Sequence, residues 1–258
     1  MMKNIFFGFI CAFLVGVVCS QNPITRVVNG SPIEYKNYYA YVEAQGSNVT
    51  SGSGTFITRR HVLTSASMIR GYARWVIGYG SVNFTQLTRL TSFVALIHNN
   101  VQTQFWPNRN DIGIILLPND VTSALVEPVT LPITVVPLPR DNEEGLVVGF
   151  SNTSQTGEPT ENSVLQGVYL QTIAMNRCSS THIVNPLQNT FCAFDQWFNS
   201  NSCSGNVGSG FVVRTRGEEL LVGILNTFNP LCRSSDVTTY INIQFFLPWI
   251  RAVIGDDL

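Results

Sequence analysis

The feature that most constrains the fold of this chain is a succession of short apolar runs that starts near Tyr38. The runs are rich in Val, Ile, Phe, Thr and Tyr, and clusters of Gly, Asn, Pro and Ser separate them. None carries a long 3.6-residue apolar period. They occupy residues 40–44, 54–57, 61–64, 75–77, 91–97, 112–117, 145–150, 164–173, 210–214, 220–225 and 238–243. Short strands divided by turn residues are typical of β-barrels and β-sandwiches, so the sequence predicts an all-β fold.

Only the C-terminal end predicts a helix. Phe246, Trp249, Ile250 and Val253 are spaced at i, i+3, i+4 and i+7, which is the spacing of one helical face. Gly255 follows as a stop signal. We therefore expect a helix over residues 245–255.

The first 20 residues have the pattern of a secretory signal peptide. Lys3 precedes a nearly continuous apolar stretch over residues 5–18, and Ser20 supplies a small residue before a cut at Gln21. About 14 apolar residues are too few to span a bilayer, which disfavours the alternative of a retained anchor. Removal of residues 1–20 takes away one of 15 basic residues and none of 16 acidic ones, so the mature net charge is −2. Without a basic block, nucleic acid and anionic membranes are poor candidates for partners.

An even number of cysteines remains after that cut, namely Cys178, Cys192, Cys203 and Cys232. In a secreted chain this indicates two disulfides, for which three pairings are possible. Because no Cys-x-x-Cys or His-x-x-x-His spacing is present, we expect neither a metal site nor a cofactor. Secretion also makes three sequons candidate glycosylation sites, at Asn48, Asn83 and Asn152.

The most specific motif is the glycine-rich stretch over residues 201–211. Glycines at positions 205, 208 and 210 follow Cys203 and lead into an apolar run, so the backbone is expected to turn tightly there. This Cys-x-Gly-x-x-Gly turn resembles the nucleophile loop of chymotrypsin-like serine proteases (the S1 family), which reads Cys-x-Gly-Asp-Ser-Gly-Gly. In this chain Asn206 stands at the Asp position and Val207 at the position of the nucleophilic Ser.

Seven further stretches resemble markers of the same family and follow its order. They are residues 54–57 with 62–68, 110–116, 129–132, 147–150, 191–193, 223–226 and 247–250. The resemblance implies two six-stranded antiparallel β-barrels with a C-terminal α-helix. It places a short propeptide-like segment at 21–26 and an S1-like domain at 27–258. Within that domain the barrels would cover roughly 27–138 and 139–244, and the helix 245–255.

The resemblance also implies what has become of the catalytic triad. The imidazole position is Ser67, the carboxylate position is Asp111 and the nucleophile position is Val207, at separations of 44 and 96 residues. Valine has no lone pair with which to attack, and serine does not titrate near neutral pH as a general base must. The main-chain amides of Gly205 and Val207 remain as part of an oxyanion loop. We expect no proteolytic activity, and we expect Asp111 to bond to nearby backbone or to Ser67.

A relocated nucleophile and base are the alternative. Ser209 is a hydroxyl in the same loop, but it takes a glycine position and is expected to point elsewhere. The three histidines are expected in a packed strand, a surface turn and a polar loop; they are His61, His98 and His182.

The positions that would face substrate also differ from the family. Asn201 stands at the base of the specificity pocket, Thr238 on its wall where the family has Gly, and Asn226 where it has Ser. The β-branched Thr238 would narrow the pocket, and the alternative is that these differences are ordinary variation within the family.

Arg26 and Val27 resemble the activation junction, at which cleavage frees an ammonium that pairs with the Asp before the nucleophile. Asn206 cannot supply that charge, so the zymogen switch is expected to be weak or absent. The alternative is that Arg26 is simply an exposed residue near a terminus.

The resemblance implies the disulfides Cys178–Cys192 and Cys203–Cys232. A further family bridge would join the positions of Gly52 and Met68, so both of its cysteines have been lost together.

These features favour a secreted serine protease homologue that acts by binding a protein. The partner is expected to be a protease, a cascade component or a host macromolecule. The corresponding roles are adaptor, decoy or regulator in a protease cascade, or a salivary, venom or gut factor. The strands resemble those of insect members, which predicts an insect origin. The alternatives are a serine endopeptidase with unorthodox catalytic residues and a luminal or storage protein without a specific partner.

Overall fold

The computed structural model of the chain describes residues 30–105, 108–132, 138–150, 159–178, 189–195, 200–202, 205–227 and 236–255. Several predicted positions lie outside these ranges, namely Arg26, Val27, Asn152, His182, Cys203 and Cys232. Among the residues it describes, no helix has the length and apolar character that a bilayer crossing requires.

Two antiparallel β-sheets form the described chain. The strands are β1 (Ser31–Pro32), β2 (Tyr39–Gly46), β3 (Val49–Phe56), β4 (His61–Thr64), β5 (Tyr72–Tyr79), β6 (Thr88–Ser92), β7 (Val94–Ile97), β8 (Gly113–Leu116), β9 (Glu144–Phe150), β10 (Leu165–Ile173), β11 (Thr190–Phe194), β12 (Gly210–Thr215), β13 (Glu218–Thr227) and β14 (Thr238–Asn242). The expected all-β fold is confirmed, and each predicted run overlaps a strand or, for residues 91–97, two strands.

The first sheet has the strand order β6-β5-β2-β3-β4-β8-β7 and curls on itself. Its two end strands are consecutive in the chain and are separated by Phe93 alone. At this break the Ser92 hydroxyl donates to the Leu116 carbonyl at 2.6 Å and accepts from the Val94 amide at 3.1 Å. The single predicted run 91–97 is therefore divided between two strands, because the Ser92 side chain takes the place of backbone pairing at the bend.

The second sheet closes into a six-stranded barrel with the order β9-β10-β11-β14-β13-β12, because β12 pairs in turn with β9. Phe191, Phe211 and Tyr240 meet inside it, with ring centroids 4.9–5.2 Å apart. Such aromatic contacts stabilise a core beyond the area they bury. The short strand β1 pairs with β10 of this barrel. Residues 31–32 nevertheless fall in the range 27–138 that was expected for the first barrel.

Two α-helices are present in the described part of the chain, α1 (Met175–Cys178) and α2 (Leu247–Ile254). A 3-10 turn, Ile243–Phe246, precedes α2, so the predicted C-terminal helix is confirmed from Leu247 onward. Its Ile250 and Ile254 side chains pack in a buried cluster that also contains residues of both sheets. The helix therefore covers the seam between the two sheets.

Candidate functional site

Strand pairing brings Ser67 and Asp111 together. Ser67 lies in the 3-10 turn Ala66–Met68 just after β4, and Asp111 lies two residues before β8. Because β4 and β8 pair with Thr64 opposite Gly113, the two segments leave the sheet side by side. The Ser67 amide donates to Asp111 Oδ1 at 2.8 Å, and the Ser67 hydroxyl donates to Oδ2 at 3.2 Å. These are the contacts expected for a carboxylate that orients no histidine.

Two neighbours that the sequence did not indicate complete this cluster. The Asn108 side chain donates to Asp111 Oδ2 at 3.4 Å, and the Ser65 and Ser67 hydroxyls lie 2.8 Å apart. Asp111 is fully buried. Burial raises its pKa above the ordinary value of 3.8, and the hydrogen bonds from Ser67 and Asn108 partly offset that effect.

Replacing Asp111 with Asn is expected to stabilise the protein progressively, relative to wild type, as pH rises. A raised folded-state pKa means that Asp111 favours folding fully below its unfolded pKa and loses that contribution as pH rises through its folded pKa. The amide carries no such penalty, can still accept from the Ser67 amide, and requires only the half-exposed Asn108 side chain to rotate.

Urea unfolding of both proteins at about pH 4 and pH 7 measures this difference. Asp120→Asn is the matched control, because that carboxylate is exposed. A stability difference between Asp111→Asn and wild type that does not change with pH would contradict the prediction.

The loop that holds Val207 has the shape expected from its glycines. Gly205 and Gly208 adopt φ of 84° and 83°, which side chains on L-residues rarely tolerate. The Ser53 amide donates to the Val207 carbonyl at 2.9 Å, and the Ser53 hydroxyl donates to the Gly205 carbonyl at 3.1 Å. The Gly208 amide donates to the Leu225 carbonyl at 3.2 Å. The loop is therefore held between β3 and β13.

The Val207 side chain packs against the core of the first sheet. Met68 belongs to the same cluster, and its Sδ would lie 2.7 Å from a Cβ placed on Gly52. Gly52 and Met68 are the two positions of the missing family bridge, so a buried thioether fills the space between them. The nucleophile position has thus become part of an apolar contact.

Among the described residues, the alternative catalytic groups Ser209, His61 and His98 each have contacts of their own, and His182 lies outside those residues. Ser209 is buried, and its hydroxyl donates to the Val148 carbonyl at 2.6 Å. His61 is buried in β4, where Nδ1 is 2.8 Å from the Thr58 hydroxyl. His98 begins a turn, in which the Val101 amide donates to its carbonyl, and its ring packs edge-on against Phe246 and Trp249. Burial lowers the pKa of His98.

Asn206 is fully buried against Gly149, where an added Cβ would lie 2.1 Å from Asn206 Oδ1. Among the described residues neither Oδ1 nor Nδ2 of Asn206 has a hydrogen-bond partner. A carboxylate at this position would place an uncompensated charge in the interior, and the neutral amide avoids that cost. The activation junction itself lies outside the described residues.

The specificity-pocket positions are occupied by their own hydrogen bonds. Asn201 is 1% exposed and donates to the Asp236 carbonyl, while Thr238 is 0% exposed and donates to the Ala193 carbonyl at 3.1 Å. The Thr238 hydroxyl also donates to the Tyr240 phenol oxygen at 3.1 Å, and the Ser202 hydroxyl lies 2.8 Å from that oxygen. Burial raises the pKa of Tyr240 to about 12, so the phenol stays protonated. The side chains at the predicted base and wall positions of the pocket are therefore buried and hydrogen-bonded.

One predicted disulfide is present, Cys178–Cys192, with a Cα–Cα distance of 5.8 Å. It joins α1 to β11. The second predicted pair, Cys203–Cys232, lies outside the described residues.

Replacing both Cys178 and Cys192 with Ala is expected to reduce the free energy of unfolding by about 3 kcal/mol, because the sequence separation of 14 closes a short loop in the unfolded chain. Guanidinium unfolding measures this loss. Reduction of the wild type, which would also open the predicted Cys203–Cys232 bond, should lower the midpoint at least as much, and an unchanged midpoint for the double variant would contradict the prediction.

Other predicted positions lie apart from this cluster. Asn48 is exposed at the turn after β2, whereas the Asn83 side chain is half-buried and donates to Gln86 Oε1 at 3.0 Å. Within the described ranges, no three His, Cys, Asp or Glu side chains converge on a possible metal position. A polar cavity of about 540 Å³ lies between residues 35–38, 127–130 and 214–219, and none of its lining residues is a predicted site position.

Comparisons with known proteins agree with this geometry. A profile of the family described as Trypsin matches residues 27–250. The venom serine protease of Polistes dominula is 24% identical over 253 residues, which cover 92% of this chain and 89% of that protein. Haptoglobin of Sus scrofa is 25% identical over 275 residues, which cover 93% of this chain and 75% of haptoglobin.

A solved structure titled HL collagenase is 20% identical with a TM-score of 0.74, over 88% of this chain and 98% of that one. This likeness confirms the chymotrypsin-like fold. The chain spans only 53% of the length of another relative, the vitamin K-dependent protein C of Mus musculus, to which it is 23% identical. Because the family profile matches most of its length, this chain belongs to the trypsin family, the S1 serine protease family that its motifs resemble.

Proposed function

We propose that this protein is a secreted, non-catalytic member of the trypsin family that acts by binding another protein. The observation that carries the proposal is the replacement of two triad groups beside a loop that keeps its glycine turns. Ser67 occupies the imidazole position and bonds to Asp111, and Val207 packs its side chain against the first sheet. Acyl transfer requires a nucleophile and a base within hydrogen-bond reach of each other, and neither residue can fill its role.

The pocket supports the same conclusion. Asn201 and Thr238 are almost completely buried and bond to main-chain carbonyls, so they do not present a cavity to a substrate side chain. If only the triad residues had changed, the specificity pocket would be expected to remain open. These contacts support a site that does not cleave peptides and a loop whose glycine turns serve the fold.

Secretion follows from the signal-peptide pattern, and the chain matches relatives whose names include both a venom serine protease and haptoglobin, a name that does not denote a protease. We propose a protein partner that is a protease, a cascade component or a host macromolecule. The resemblance of the strands supports an insect source.

A fluorophosphonate probe tests the absence of catalysis. The purified protein, before and after treatment with trypsin, is expected to remain unlabelled, while active trypsin in the same mixture is labelled fully. Label on Ser209, located by peptide mass spectrometry, would instead establish an unorthodox enzyme.

Affinity capture from the fluid in which the protein occurs tests the binding role. A reproducible partner at fixed stoichiometry is the expected result. If repeated captures return no such partner, the binding role fails and a storage role takes its place.

A further inference from the structure

The polar cavity between residues 35–38, 127–130 and 214–219 has no task in the proposed function. Its volume of about 540 Å³ lies within the range of about 300–1,000 Å³ that small-molecule sites occupy. None of the triad or specificity-pocket positions lines it. A ligand in this cavity is therefore independent of the altered catalytic site.

Main-chain hydrogen bonds bring the three walls of the cavity together. The Glu127 amide donates to the Asn37 carbonyl at 3.1 Å, which joins the first wall to the second. The Leu221 amide donates to the Thr130 carbonyl at 3.0 Å, which joins the second wall to β13. The third wall is the hairpin between β12 and β13. Because these contacts are between main-chain atoms, the walls keep their positions when side chains rotate.

The Tyr38 phenol is a buried polar group at this cavity. Tyr38 lines the cavity and is 6% exposed, and among the described residues its hydroxyl has no hydrogen-bond partner. Burial raises the pKa of the phenol well above its ordinary value of 10.0, and the charge of Glu219, which lines the same cavity, raises it further. The hydroxyl therefore stays protonated. A buried hydroxyl without a hydrogen bond is costly, so a polar ligand atom that bonds to it gains affinity.

Charged side chains of both signs line the same cavity. Lys36 Nζ lies 2.7 Å from Glu219 Oε1, so these two groups offset each other. The other charged groups of the lining are the exposed side chains of Arg214, Glu127 and Glu218. Within the described ranges, none of these three has an oppositely charged side chain within 4.0 Å. The cavity therefore offers one unpaired guanidinium and two unpaired carboxylates to a ligand.

We propose that this cavity binds a small zwitterion, an amino acid or short peptide whose ammonium and carboxylate groups are both free. The ligand carboxylate pairs with Arg214, because a guanidinium can hold a carboxylate through two parallel N–H bonds. The ligand ammonium, which has three donors and no acceptor, pairs with Glu127 and Glu218. A ligand with only one of these charges would leave part of the lining unpaired and would meet like charge there. The Tyr38 hydroxyl bonds to a polar atom of the same ligand.

Titration with triglycine at about pH 6, where both ends of the peptide are charged, tests the site. The readout is the nuclear magnetic resonance shift of the Gly217 main-chain amide, because Gly217 lines the cavity. Triglycine amide lacks the carboxylate and N-acetyl triglycine lacks the ammonium, so these two peptides are matched control ligands. We expect a saturable shift with triglycine. Each blocked peptide should bind at least about tenfold more weakly, since each has lost a charge-assisted contact.

Surface variants locate the two ends of the ligand. Arg214→Gln should no longer distinguish triglycine from triglycine amide. Glu127→Gln combined with Glu218→Gln should no longer distinguish triglycine from N-acetyl triglycine. Arg216→Gln is the matched control, because Arg216 is exposed in the same hairpin and is not among the lining residues. It should bind triglycine as the wild type does.

Tyr38→Phe separates a binding role of the hydroxyl from a structural one. The variant removes a buried group that lacks a hydrogen bond, so the ligand-free protein should unfold at a higher urea concentration than the wild type. Its affinity for triglycine should nevertheless fall about fivefold, through loss of one neutral hydrogen bond. A purely structural hydroxyl would leave that affinity unchanged.

Three results would overturn the proposal: no saturable shift with triglycine, equal affinity for the three peptides, or wild-type affinity in Tyr38→Phe. Loss of triglycine binding in Arg216→Gln equal to that in Arg214→Gln would overturn it as well. None of these results changes the outcome of fluorophosphonate labelling. The zwitterion site and the non-catalytic role therefore fail independently.

Discussion

Replacing Gly208 with Ala is expected to destabilise this protein by about 3 kcal/mol or more. Gly208 has φ of 83°, and a Cβ there would lie 2.1 Å from the Thr64 hydroxyl and 2.4 Å from the Ser53 carbonyl. The side chain of Thr64 can shift, but the Ser53 carbonyl is main chain within β3 and cannot. The new methyl group would therefore push the loop away from the first sheet.

Gly217→Ala is the matched control, since Gly217 has φ of 90° and no atom within 4 Å of the added Cβ. It should cost only the intrinsic penalty of a positive φ, about 1 kcal/mol. Urea unfolding of the two variants isolates the steric contribution from the conformational one. Equal losses of unfolding free energy in Gly208→Ala and Gly217→Ala would show that the loop can move away from the first sheet. Its contacts with Ser53 and Thr64 would then not fix its position.

Strand content was predictable from the sequence because the runs are rich in β-branched residues and end at turn residues. Strand β1 escaped prediction because Ser31 and Pro32 have no β pattern of their own and exist as a strand only through pairing with β10. Strand β11 is marked by the family resemblance, but its five residues are too few for a periodicity argument. The break at Phe93 depends on a Ser92 hydroxyl contact with β8, and such a distant partner is not visible in local sequence.

The meeting of Ser67 and Asp111 was also predictable, because family order places them at the ends of neighbouring strands. The contacts of Asn108 with Asp111 and with Asn226 were not predictable. Asn108 and Asn226 come from segments 118 residues apart and join through one hydrogen bond between the two halves of the chain. The hydrogen bonds at the predicted pocket positions likewise depend on where Tyr240 directs its phenol, which contacts Ser202 and Thr238 from inside the second barrel. Side-chain networks of this kind follow from packing, so the sequence identified the positions and the structure supplied their partners.

Restoring two triad groups together is expected to create reactivity that neither replacement creates alone. The variants are Ser67→His, Val207→Ser and the combination of the two. Nucleophile and base act as a unit, so returning one of them recovers little. Asp111 already lies within hydrogen-bond distance of the residue 67 main chain and is positioned to accept from a histidine at that site. We expect the combined variant to react with a fluorophosphonate at least about a hundredfold faster than either single variant.

Ser67→Gln with Val207→Ser is the matched control for the combined variant, because glutamine approximates the size of histidine and cannot act as a base near neutral pH. It should react no faster than Val207→Ser alone. Equal rates for the histidine and glutamine combinations would show that residue 67 does not reach the nucleophile position, and that more than side-chain identity separates this site from an active one.

Peptide cleavage should remain absent in the combined variant even where the fluorophosphonate reacts. A small fluorophosphonate needs only the nucleophile and base, whereas a peptide must also place a side chain in the specificity pocket. Thr238 stands at the predicted wall position and bonds to the Ala193 carbonyl, so we expect it to exclude such a side chain. Adding Thr238→Gly to the combined variant should raise the hydrolysis of a small peptide ester, measured as kcat/KM, more than it raises the rate of fluorophosphonate labelling. A combined variant that cleaves peptides without that third change would mean that the pocket opens on binding, and that Thr238 and Asn201 do not close it.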